Sequence, residues 1–294
     1  MPWAAEECVR EISLQLACRT EKLEVQGGGN SGNQATAAAR LGLSPHLITK
    51  IGDDGLGQGI LAELARDGVG TEFVLRAQGS PSPFTYIIVD RQGGTRTCIH
   101  TPGAPMLPSE MTPELLDRAL EGARLAWFDG RLTEAALVVA REARRRGIPV
   151  LVEAERLRPG LDALLAEADY VCTSAHFPQD WTGEPLLGDA ILETLARLPR
   201  ARALVTTRGT HGSVLLERCR DACPEATDAV LEDLLAGWLE DARVARDRGE
   251  VTACTTASGL QVKLGSVITA SSPQRLRRKA QKAADAVAAN ARVS

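Results

Sequence analysis

Residues 26–42, QGGGNSGNQATAAARLG, place three consecutive glycines before two asparagines, Asn30 and Asn33, and run directly into an alanine-rich segment of helical character. Gly27, Gly28 and Gly29 can take positive φ at no steric cost and let a ligand approach the main chain closely. Asn30 or Ser31 can cap the helix that carries Ala35 to Arg40. A helix start offers unpaired N–H groups and a partial positive charge. The stretch therefore suits a polar or anionic small molecule. A flexible turn followed by a capped helix accounts for the same residues, so both readings stand at this point. A second pair, Asp129 and Arg131, follows the apolar run ARLAWF (123–128). Residues just past such a strand end are placed either to touch a ligand or to form a solvated ion pair in a loop.

The elements that must position these residues can be read from periodicity. PHLITKIG (45–52) reads as a strand ending in glycine, and GLGQGILAELARDG (55–68) as a helix with Leu56, Ile60, Leu61 and Leu64 at helical spacing. Further strands are expected at ARLAWFDG (123–130), IPVLVEAE (148–155), ADYVCTSA (168–175) and RALVTTRG (202–209). Helices are expected between them at 113–122, 132–147, 160–168 and 187–199. Strands alternating with helices predict a parallel sheet covered on both faces, with ligands at the carboxyl ends of the strands. FTYIIVDRQGGTRTCIH (84–100) breaks the pattern and reads as a hairpin about Gly93-Gly94. Residues 11–26 also alternate like strands. The hairpin is either a flap over the site or an edge element with no part in it.

Composition bounds the function. A chain of 294 residues suits one large domain and can bury a sizeable core. The formal net charge of −4 gives nucleic acid or an anionic membrane no support as the main partner, and 3% aromatic residues argue against a base-stacking surface. The seven cysteines (Cys8, Cys18, Cys98, Cys172, Cys219, Cys223 and Cys254) are odd in number and scattered, which fits a reducing, cytoplasmic setting. The start has no apolar core run of a secretory signal, and no stretch approaches a membrane span. Cys219 and Cys223 near His211 lack a second ligand pair, so thiols rather than a metal site are expected there.

Several stretches, in unbroken order over roughly residues 22–217, resemble the PfkB/ribokinase family of sugar kinases, on its ketohexokinase and fructokinase side. GGNSGNQATAAARLG (28–42) is similar to the family's glycine-rich sugar-binding signature. ITKIGDDGLGQGILAELARDGVGTEFV (48–74) resembles the strand, turn and helix that follow, and SPFTYIIVDRQGGTRT (82–97) the lid hairpin. WFDGRL (127–132) resembles the sugar-proximal strand end, and LVTTRGTHGSVLL (204–216) the nucleotide-side strand and turn. The resemblance implies a ribokinase-like three-layer α/β sandwich as a single domain over 1–294, with a β lid from about 22–26 and 84–100. It implies ATP and Mg2+ as cofactors, and a possible homodimer through the lid. Gly28, Gly29, Asn30, Asn33, Asp129 and Arg131 would then bind a sugar, since an amide offers both donor and acceptor to hydroxyls. Thr207, Gly209 and Gly212 would form the nucleotide side.

The chain also departs from the family. Family kinases carry Gly-Ala-Gly-Asp on a late helix, whose aspartate is the general base and whose N–H groups cradle the transferring phosphate. None of the aspartates after Gly212 (Asp221, Asp228, Asp233, Asp241, Asp247 and Asp285) follows a glycine. KAADAVAANA (282–291) echoes the signature at Asp285, but Lys282 and Ala284 stand where glycines are needed. The sugar-binding aspartate of the family's first strand has no counterpart before Asp53, and TSAHF (173–177) replaces the magnesium-associated Asn-x-x-Glu. The expectation is therefore the middle of a kinase with both ends altered and a divergent tail over 218–294. Truncation, a variant reading of the gene, or divergence to a non-catalytic sugar-binding or partner-binding relative would each produce it.

Overall fold

Helical and strand periods separate cleanly along the chain, and the computed structural model turns nearly every one of them into an element. It describes residues 22–218 apart from residue 92, together with the backbone of residues 226–227, 251–256 and 260–265. After the glycines come α1 (Asn30–Arg40), β1 (Thr49–Gly52), α2 (Gly55–Arg66), β2 (Val74–Ala77), β3 (Phe84–Asp90) and β4 (Thr95–Thr101). The second half runs through α3 (Pro113–Ala119), β5 (Ala126–Phe128), α4 (Thr133–Arg145), β6 (Val150–Ala154), α5 (Leu161–Leu165), β7 (Tyr170–Thr173), α6 (Phe177–Thr182), α7 (Leu187–Arg197), β8 (Ala203–Thr207) and β9 (Ser213–Arg218). Then follow β10 (Ala226–Thr227), β11 (Val251–Thr256) and β12 (Leu260–Gly265).

The main sheet has eight strands in the order β10-β11-β12-β9-β8-β7-β6-β5. β5, β6, β7 and β8 are mutually parallel, with helices in each crossover, as the alternation predicts. β9 runs antiparallel to β8, β12 antiparallel to β9 and β11 antiparallel to β12, with β10 parallel to β11, so β9, β10 and β11 run against the β5–β8 direction and β12 runs with it. Burial alternates along β6: Val150, Val152 and Ala154 are fully buried, while Leu151 and Glu153 on the other face are half-buried. The buried face packs on Ala135, Val139, Ala140 and Ala143 of α4, Leu164 and Leu165 of α5, and Ile191 and Leu195 of α7. Each such leucine contributes about 1.5–3 kcal/mol by leaving water. A smaller cluster of Ala35, Leu47, Leu64 and Val69 joins α1 to α2.

The structure differs from the sequence reading at three points. β1 does pair in parallel, but among the described residues only with β2, in a separate two-stranded sheet. Residues 22–26 form no strand: Leu23 and Val25 are exposed, and alternation without a partner edge makes no ladder. So the hairpin is β3 and β4 alone, paired from Phe84↔Thr101 to Asp90↔Thr95 with Gly94 at φ 65 in the turn. The helix Phe177–Thr182 was not expected, because its six residues are too few to show a period. Cys8, Cys18, Cys219, Cys223 and Asp285 lie outside the described residues, as do residues 11–21 and most of 218–294.

Candidate functional site

The glycine turn is held from two sides. Gly27 N–H donates to Glu63 Oε2 of α2 at 2.7 Å. From the other side, the first turns of α1 reach the carboxyl ends of β5 and β6. Ser31 Oγ donates to Asp129 Oδ2 at 2.5 Å, Gln34 Nε2 to Glu153 Oε2 at 2.7 Å, and Asn30 Nδ2 to Glu155 Oε2 at 3.4 Å. One helix therefore docks on three carboxylates supplied by two strand ends. This corrects the capping expectation. Gly29, at φ 78, occupies the N-cap position, and among the described residues no side chain caps the helix. Asn30 and Ser31 sit inside the first turn with their polar groups turned to the strands, which leaves the helix's leading N–H groups uncapped by side chains.

Each expected residue can now be placed. A Cβ built on Gly28 or Gly29 meets no atom within 4 Å, so the backbone there faces open space that a side chain would fill. Asn33 is exposed, and its amide makes no hydrogen bond among the described residues. Asp129 accepts from the Arg131 N–H at 3.0 Å as well as from Ser31. Arg131 approaches Glu155 Oε2 at 3.5 Å. Asn30, Asp129 and Arg131 are linked through Glu155 and Ser31, and Gly28, Gly29 and Asn33 adjoin Asn30 along the turn and α1. Thr207, Gly209 and Gly212 form the turn from β8 to β9, two ladder steps or about 10 Å from β6. Gly209 has φ 57 and open space at its Cβ, and Gly212 has φ 82. Thr207 Oγ1 donates to the Thr173 carbonyl at 3.2 Å, which ties that turn to the end of β7.

The sequence reading missed Ser31, Gln34, Glu63, Glu153, Glu155 and Arg158 as site residues. A signal existed for two of them: VEAE puts acids at alternate positions of a strand end. The glutamates differ in electrostatics. Burial, with Asp129 and Glu155 as like charges, holds the Glu153 carboxyl above its usual range. The Arg156 hydrogen bond, then the charges of Arg156 and Arg131, hold Glu155 below it against burial. Where Asn-x-x-Glu was missing, Ser174 Oγ donates to the Glu155 carbonyl at 2.6 Å and supports the same loop.

A glycine turn beside amides and acids at strand ends is thus followed along the sheet by a second glycine turn. The pfkB carbohydrate kinase family matches residues 5–230. The chain belongs to the PfkB family of carbohydrate kinases. Among its PfkB relatives, ribokinase of Bacillus subtilis is 27% identical over 153 residues, 51% of this chain and 50% of that protein. Mouse ribokinase is 25% identical over 235 residues, 74% of this chain and 68% of that one. The match thus spans only about half of the Bacillus protein. In structure, Thermotoga maritima ribokinase superposes with a TM-score of 0.57 at 20% identity, over 80% of this chain and 79% of that one. Xylella fastidiosa fructokinase gives 0.57 at 20% identity over 69% and 71%. These likenesses show the ribokinase-like α/β fold.

Proposed function

We propose that this chain binds a sugar between the glycine turn and the ends of β5 and β6, and that it performs its family's reaction, ATP-dependent phosphoryl transfer to a sugar hydroxyl, poorly. The open backbone at Gly28 and Gly29, beside Asn30, Asn33, Asp129 and Arg131, supports the sugar site. Amides present donor and acceptor to a polyol, and Asp129 keeps acceptor capacity beyond its two protein donors. The β8–β9 turn fits a nucleotide through its positive-φ glycines, so Thr207, Gly209 and Gly212 would hold ATP, which supplies the phosphoryl group. Among the described residues no cluster of three or more His, Cys, Asp or Glu fits a metal ion, so no step is assigned to Mg2+. Two described cysteines, Cys98 and Cys172, are free thiols, which supports a reducing, cytoplasmic setting. The exposed hairpin supports a lid that pairs two copies.

The observation that carries the weak-catalysis reading is that no aspartate among residues 213–294 follows a glycine. Losing a positioned base costs roughly 10²–10⁴-fold in rate. Losing an oxyanion-type donor costs about 10²–10³-fold more. The same observation favours the second reading, a sugar-binding relative without turnover. A coupled assay should detect no sugar-dependent ADP release above background with fructose, ribose or adenosine, while calorimetry detects sugar binding. Robust turnover that disappears in Asp285→Asn would overturn the reading and give the tail the base.

A further inference from the structure

The loop after β6 crowds positive charge around one carboxylate. Glu155 Oε1 receives Arg156 at 2.7 Å. Its other oxygen, Oε2, faces three donors at once: Asn30 Nδ2 at 3.4 Å, Arg131 Nη2 at 3.5 Å and Arg158 Nη2 at 3.7 Å. None is at the 2.7–2.9 Å of a good charge-assisted bond. Arg158 has only 26% of its side chain exposed, yet this loose ion pair is the one polar contact of that side chain among the described residues. A guanidinium carries five donors, and those of Arg158 are not among the buried unsatisfied atoms of the described residues, so they stay open to a ligand from solvent. Asn30, Arg131 and Arg158 all border the open cleft that begins at the glycine turn. The arginines oppose one another there: burial, then Arg131 and Arg156, push the Arg158 guanidinium down despite Glu155 and Asp129. One acceptor for three incompletely bonded donors leaves room for a second acceptor that is itself anionic.

We propose that Arg131 and Arg158 form a subsite for an oxyanion carried by the sugar, a carboxylate or a phosphate ester, while Asn30 takes a neighbouring hydroxyl. A planar fork on each arginine matches two oxygens of either group. Asp129 and Glu153 are occupied by Ser31 and Gln34 of α1. The ligand class is thus an acid or phosphate derivative of a sugar rather than a plain sugar. The inference rests on the sugar site proposed above.

Calorimetry on the full chain tests it, with fructose, fructose 1-phosphate, fructose 6-phosphate, gluconate and inorganic phosphate as probes. At least one of the three anionic sugars should bind about tenfold or more tightly than fructose, one charge-assisted bond's worth. The preference should fall to within about twofold in both Arg158→Gln and Arg131→Gln, and weaken with added salt. Arg156→Gln is the control, because its donor is already bonded to Glu155, and it should keep the preference. Whichever anion wins identifies ester or carboxylate. The subsite is refuted by equal affinity for neutral and anionic sugars, by a preference that survives both substitutions, or by inorganic phosphate binding as tightly as the best anionic sugar. If no probe binds, both the subsite and the sugar site fail. If fructose binds and loses affinity in Asn33→Ala but no anionic sugar is preferred, the sugar site stands and the subsite alone falls.

Discussion

Asn33 separates binding from folding at a single residue. Its amide is exposed and makes no hydrogen bond among the described residues, so Asn33→Ala removes nothing from the fold that is visible there. Alanine is also the better helix former at that interior position of α1. Asn33→Ala should therefore melt no lower than the parent, yet bind sugar about 5–30-fold more weakly, the loss of one or two hydrogen bonds of ~1 kcal/mol each. Calorimetry and a melting curve on the same sample read both numbers. Equal sugar affinity in the two proteins would make Asn33 merely a helix residue. The candidate residues legible in the sequence here are those whose type or place is informative alone: the glycines and asparagines of the turn, and Asp129 and Arg131 just past a strand end. Gln34, Glu63 and Glu155 are ordinary helix or strand-end residues, and only their partners across the fold give them a role.

At the scale of elements, the join between β1, α2 and the loop at 80–82 is the clearest test. Asp54 caps α2 by accepting from Gly57 N–H at 2.8 Å, and also accepts from Ser82 Oγ at 2.6 Å and Ser82 N–H at 2.9 Å. Ser82 Oγ in turn accepts from Gly52 N–H at 3.0 Å and is fully buried. Gly52 and Gly57 permit this approach, since a Cβ on Gly52 would lie 2.2 Å from the Ser80 carbonyl oxygen. Ser82→Ala strands the buried Gly52 N–H and should cost about 1–3 kcal/mol in denaturant unfolding. It should also change the acid response. The Ser82 hydroxyl and N–H, with Gly57 N–H, hold the Asp54 carboxyl below its usual range. That stability is present above the ordinary carboxylate value and lost as pH falls through the lower folded one. The parent should therefore lose more stability on acidification below about pH 4 than Ser82→Ala does. Parallel acid titrations of the two would disprove the link.

For the whole molecule, the hairpin is the exposed feature. Tyr86, Ile87, Ile88 and Val89 are each more than half exposed, on both faces of a ribbon that pairs with no other strand among the described residues. A lone two-stranded ribbon is marginal in water and leaves open edges. A second copy of the chain would cover it. Sedimentation should show self-association that Ile88→Lys weakens toward monomer, with the main-sheet fold unchanged by circular dichroism. An unchanged mass distribution in Ile88→Lys would detach the hairpin from assembly.

By itself, the sequence determined the local matters: the alternation of β5 to β8 with their helices, the hairpin about Gly94, the glycine turn before α1 and the family to which these belong. Period, turn residues and glycine runs are properties of neighbouring residues, and they survive reading one position at a time. It did not determine that, among the described residues, β1 pairs only with β2, residues 22–26 find no partner strand, and α1 starts at Gly29 without a side-chain cap. Those outcomes depend on which edge or carboxylate another part of the chain presents. Asn30 and Ser31 could cap their own helix, and the choice went to Glu155 and Asp129, about a hundred residues away, because folding brings the ends of β5 and β6 beneath α1. The same convergence sets three donors around one oxygen of Glu155, an arrangement of distances that no spacing along the chain encodes.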